Sequence, residues 1–199
     1  MFTFKVMQIA MLFGGVFGRV IPRGVGPSPD SIPESFVGNI AAIQATNDLT
    51  GDTRIYFQNA DNSIEEIGVT GPFTSGRLFG QGLHVPADEV QGNTLIAAVT
   101  IDGEHFQEIH LFFVSPANIL SEYIFDTATG WRGGTSCTDC ITVNAYAVQP
   151  GNRVLYAMGN SASGSPAVLR VGFVSAGAPT TLSEADYDLV NGWRLAQLN

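Results

Sequence analysis

One pattern of short apolar runs occurs three times between residues 39 and 199, and a chain that repeats itself at such an interval has few architectures open to it. The runs 39–43, 94–99 and 153–157 open the three units. A second run follows in each, at 54–57, 110–113 and 170–173, and a third at 64–67, 120–123 and 182–185. An aromatic close behind a glycine completes the unit: Phe73 after Gly71, Trp131 after Gly130, Trp193 after Gly192. The units recur at roughly 60 residues, their runs have strand length, and Gly, Asn, Asp and Ser separate them. No amphipathic helical stretch of three turns occurs after residue 20. Three visible strands and a fourth implied at each aromatic make a blade of four antiparallel strands. The reading is therefore all-β, a β-propeller with three blades per chain at about 38–92, 93–150 and 151–199.

Three blades do not close a ring, because propellers run from about four to eight. Each unmatched blade face is a predicted site of association. A homodimer with twofold symmetry, closing a six-bladed ring, is the economical solution. Truncation from a longer gene, or pairing with a different partner, are the alternatives.

The segment before the repeats is of another kind. Lys5 precedes an almost wholly apolar stretch at 6–18, and Arg19 follows it, as in a secretory signal peptide cleaved after Gly18. A run of about thirteen residues is too short to span a bilayer, so no membrane insertion is expected and the protein reads as secreted. Residues 19–35 hold four of the ten prolines without periodicity and read as a linker. Across the 199 residues, 45% are apolar and the net charge is −9, which fits a cored globular protein and argues against a nucleic-acid partner.

Within each unit the second and third runs form a hairpin. Turn centres near Ala60, Pro116 and Gly177 set Arg54 opposite Glu66, His110 opposite Glu122 and Arg170 opposite Glu184. An ordinary cross-strand charge pair accounts for any one of these. Three recurrences beside an aromatic point instead to carbohydrate, whose hydroxyls suit a fixed guanidinium fork and a carboxylate and whose C–H face packs on a ring.

The order Arg-Ile-Tyr, a turn, Ile-x-Glu and then Gly-Trp resembles the fungal fucose-specific lectins, six-bladed propellers, over about residues 38–199. The stretches 52–58 and 63–66 carry the nearest match. The resemblance implies fucose held between neighbouring blades by the Arg and Glu of one and stacked on aromatics of the next. It implies a first site of Arg54, Glu66, Phe125 and Trp131, and a second of His110, Glu122, Tyr187 and Trp193. A third joins Arg170 and Glu184 to Phe73 of a partner chain. Fucosylated glycans or glycoproteins would then be the partners, bound at several sites with no cofactor and no catalysis. Three departures weaken sites: His110 stands for Arg, Phe73 for Trp, and the longer hairpin of the third unit is expected to tilt Arg170 from Glu184. The first site is the favoured one.

Cys137 and Cys140, with two residues between them, read as a local disulfide on an exported chain, with no further Cys for a zinc site. Asp102-Gly-Glu-His105 and Asp61-Asn62 read as hairpin turns and not as metal ligands. A glycosidase needs two carboxylates flanking a bond, whereas each glutamate here faces a cation. A sugar-blind propeller acting as an interaction or structural module is the rival reading, with the aromatics serving only to pack blades.

Overall fold

The computed structural model describes residues 37–45, 52–71, 76–79, 82–101, 106–160 and 168–198. The leader predicted at 1–18, the linker at 19–35, Phe73 and the turn at 102–105 lie outside them. Among the described residues all strands pair antiparallel within three separate sheets, in sequence order except for one short strand of the first. The first holds Ile40–Gln44 (β1), Thr53–Gln58 (β2) and Ile64–Val69 (β3), with two short strands, Leu78–Phe79 (β4) and His84–Val85 (β5), sharing the fourth position against β3. The second is Ile96–Ile101 (β6), Glu108–Val114 (β7), Leu120–Asp126 (β8) and Gly130–Gly133 (β9). The third is Leu155–Asn160 (β10), Val168–Phe173 (β11), Ser183–Asp188 (β12) and Gly192–Gln197 (β13). Three blades are seen among the described residues, and the fourth strand carries the Trp in the second and third.

Burial explains the apolar run of the middle unit's second strand. Strand side chains alternate between faces, and β7 is buried on both. Ile109, Leu111 and Phe113 join Tyr56, Ile64 and Val85 in the core between first and second blades. Phe112 and Val114 join Val171, Phe173 and Ala185 in the core between second and third. The inner strand β6 lies against both β1 and β10. The outer blades cover one face on this middle blade. On their other faces Ile40, Leu78 and Met158 stay exposed.

The hairpins show what sets the register. In both the first and second blades an Asn takes left-handed backbone geometry, Asn62 at φ 76° and Asn118 at φ 57°. Its amide N–H donates to a carbonyl three residues back, Asn59 or Ser115, at 2.9 Å in each case. Gln58 then pairs with Ile64, and Val114 with Leu120. The turn centres therefore fall one residue beyond those read from sequence, at Asp61 and Ala117, and likewise at Ala178 in the third blade. The direct partners of Glu66, Glu122 and Glu184 are Tyr56, Phe112 and Gly172, which corrects the expected pairing with Arg54, His110 and Arg170. Moving a turn centre by one residue moves each partner by two, so every side chain keeps its face. The cations sit diagonal to the glutamates, still within reach of long side chains.

Candidate functional site

Each blade brings a cation, a glutamate and an aromatic ring together on a single face. In the first, Arg54 Nε lies 3.6 Å from Glu66 Oε1, and its Nη1 reaches Asp52 Oδ1 at 2.5 Å. The guanidinium also sits over the Phe106 ring, 4.8 Å from its centroid, a cation–π distance. Burial pushes the Glu66 carboxyl above its usual range, against the opposing pull of Tyr56 and Arg54. Tyr56 meets the edge of Trp131 from the second blade at 6.0 Å, and Trp131 packs on Phe125 at 5.4 Å. The four residues expected in the first site thus gather at one blade junction, with Tyr56 joining the pair to the indole.

The second junction encloses a cavity of about 70 Å³ lined by His110, Glu122, Tyr187 and Trp193, the four residues expected there, together with Glu108 and Arg132. His110 is held at both nitrogens, Nδ1 to Glu122 Oε1 and Nε2 to Glu108 Oε1, each at 2.6 Å. Burial opposes its charge, but the bonds to Glu108 and Glu122 outweigh it and the imidazole is pushed up to about 9. An imidazolium therefore supplies at neutral pH the charge that Arg supplies in the other blades. Phe112 stacks on His110 and meets Trp193 edge-on at 6.1 Å. Tyr187 lies 5.3 Å from Trp193.

The third blade has the best-formed ion pair. Arg170 donates from Nε and Nη2 to the two oxygens of Glu184 at 2.7 and 2.9 Å, the bidentate geometry that makes such pairs strong. The longer hairpin does not tilt Arg170 away, because the extra residues at 174–182 are taken up beyond the last ladder pair, Phe173 with Ser183. Since Val171 and Phe173 face the second blade, Arg170 faces away from it. The ring comes from an unexpected place. Gly172 stands where the other blades have Tyr56 and Phe112, and Tyr156 of β10 fills the gap, so close that a Cβ on Gly172 would lie 1.9 Å from its ring. The Tyr156 hydroxyl donates to Glu184 Oε2 at 3.2 Å.

Sequence reasoning missed Tyr56, Phe112 and Tyr156, and also Asp52 and Glu108. The last two carried a readable signal, since each stands two residues before its cation and so on the same strand face. The third blade has Val168 there, and among the described residues no second carboxylate bonds Arg170 as Asp52 bonds Arg54.

The loop after β9 closes one wall of the second junction. Cys137 and Cys140 are joined at 1.93 Å. Between them Asp139 accepts from Arg132 Nη2 at 2.8 Å, and both line the cavity. Next to Cys140, the Ile141 N–H donates to Glu122 Oε2 at 2.6 Å while Thr142 Oγ1 accepts from the Glu122 N–H at 2.9 Å. The cysteine loop therefore fixes the carboxylate that holds His110.

No protein-family profile matches the chain. It is 30% identical over 111 residues to a fucose-specific lectin of Aspergillus oryzae, an alignment covering 56% of this chain and 32% of that one. Among solved structures, AofleA from Arthrobotrys oligospora superposes with a TM-score of 0.62 at 21% identity, over 83% of this chain and 43% of that one. The six-bladed fucose lectin of Aleuria aurantia does so with a TM-score of 0.59 at 22% identity, over 84% and 51%. The chain spans about a third of the Aspergillus lectin and about half of each solved chain. In sequence and in fold it is similar to the fungal fucose-specific lectins, as its repeats indicate.

Proposed function

Proceeding from that similarity, we propose that the protein is a secreted, non-catalytic lectin that binds fucosylated glycans at its blade junctions. The observation that carries this reading is the recurrence, in all three blades, of a cation–glutamate pair with a ring beside it, and of an indole from the following blade at both internal junctions. A cation and a carboxylate bind hydroxyls in fixed directions and the indole takes the C–H face. Turnover has no place in this arrangement. Glu108 and Glu122 flank a common point, but the His110 imidazole fills the space between them, where a glycosidase would admit a glycosidic bond.

Export follows from the leader read at 1–18. Two copies would complete the ring: three blades are half of a six-bladed propeller, and Arg170 and Glu184 lie on the face of the third blade turned away from the second, where a partner's first blade could close the junction. Several weak sites on one rigid ring would act together on a glycan-bearing surface. The −9 charge disfavours nucleic acid and other polyanions.

Calorimetric titration with methyl α-L-fucoside, on a sample whose mass is measured in solution, tests the reading. Saturable fucoside binding by a dimer supports it. A folded protein that ignores fucosides is instead a sugar-blind propeller, a reading favoured by one observation: Asp52 and Glu108 already occupy donors of Arg54 and His110.

A further inference from the structure

A larger cavity, of about 300 Å³, lies apart from all three ion pairs. It opens where the chain enters its inner strands, and the same Gly-Asn step stands shortly before each: Gly38-Asn39 before β1, Gly92-Asn93 before β6, Gly151-Asn152 before β10. All three asparagines line it, with Gln91, Asn118 and Gln149. Its size is at the low end of small-molecule pockets.

The lining has a definite chemistry. Among the described residues no carboxylate lines it, in a chain with 18 acidic residues, and the one charged group there is Arg153. Some of the amides are committed: Asn39 donates to the Thr94 carbonyl at 3.0 Å, Gln91 to Asn118 Oδ1 at 2.8 Å, and Asn152 exchanges two bonds with the Val154 backbone. The side chains of Asn93, Gln149 and Arg153 make no hydrogen bond or ion pair among the described residues. Val114 and Val148, both buried, give an apolar floor.

We propose that this cavity is a second binding site, for a small hydroxylated carboxylate of the uronic-acid type. The guanidinium of Arg153 takes the carboxylate through its planar fork. The amides of Asn93 and Gln149 donate to and accept from hydroxyls, and the valines meet a C–H face. The acidic surface does not forbid an anion here, since charges beyond about 8 Å are largely screened at physiological ionic strength.

The site does not depend on the fucose reading, and one experiment keeps the two apart. Full-length protein is titrated with D-glucuronate, D-glucose and methyl α-L-fucoside, followed by amide NMR shifts. Glucuronate is expected to saturate and to bind at least about tenfold more tightly than glucose, the scale of one charge-assisted contact. Arg153→Gln and Gln149→Ala should each weaken glucuronate severalfold while leaving any fucoside binding as in the parent protein. Equal affinity for glucose and glucuronate overturns the proposal, as does unchanged glucuronate binding in Arg153→Gln, or no saturation at all. Loss of the fucoside response alone counts against the lectin reading and not against this site.

Discussion

His110 is buried and ionised, so its titration bears on stability. Its value of about 9 lies above the 6.5 of a free imidazole, so its contribution to stability is complete below pH 6.5 and is lost as pH rises through about 9. The span corresponds to at most roughly 3 kcal/mol. Thermal unfolding should therefore fall between pH 6.5 and 9.5, and Glu108→Gln, which keeps a bonding partner but removes a charge, should flatten that fall. A melting temperature unchanged across the window would refute the imidazolium assignment. Arg170 offers the cleanest residue test of sugar binding, since its side chain is 48% exposed and packs little. Arg170→Gln should remove one fucoside site per chain at a stability cost of about 1–3 kcal/mol, because the buried Glu184 loses its bidentate partner, read by calorimetric stoichiometry and by melting. Trp131→Ala is less clean, because the indole is also packed on the core between the first two blades.

At the scale of the element, Gly172 and Tyr156 show how one blade builds the same face by a different route. In the first and second blades the ring beside the glutamate grows from the strand position opposite it, Tyr56 or Phe112. In the third it leans across from the neighbouring strand over a glycine. Gly172→Ala should cost about 1–3 kcal/mol by overpacking the ring. Added to Tyr156→Ala it should cost far less, because the ring it displaces is gone. Additive losses in that double-mutant cycle would mean the two do not share one space. This element also marks the limit of what the sequence could tell. Blade number, strand order and the three ion pairs were legible because hydrophobic period and turn composition are local properties. The turn centres were misplaced because left-handed geometry at Asn62 and Asn118 is a backbone choice that other turn residues in the same loops could have made. The pairs survived that error because side-chain direction has period two and long side chains reach diagonally. Tyr156 was illegible, since its role arises only from the pairing of β10 with β11.

For the whole molecule the decisive property is that the site faces of its outer blades are unequal. The first blade turns Arg54, Tyr56 and Glu66 inward, where the second blade covers them. The third turns Arg170 and Glu184 outward, toward whatever continues the ring. On the first blade's opposite face Ile40 and Leu78 are 54% and 40% exposed. A second copy related by a twofold axis would bring that apolar face against Arg170, Tyr156 and the 43% exposed Met158, and would do so twice, closing both gaps at once. Ile40→Asp places a charge in that junction without touching the core, because Ile40 points away from Ala41 and Ile43, which pack inward. The expected outcome is a chain that stays folded, sediments as a monomer and binds one fucoside fewer than the parent, the loss falling on the third site. Arg170→Gln should lose the same site yet remain a dimer, so the two variants separate assembly from recognition. A parent protein that is monomeric while binding at Arg170 would show that the third face needs no second copy, and the six-bladed ring would have to be given up.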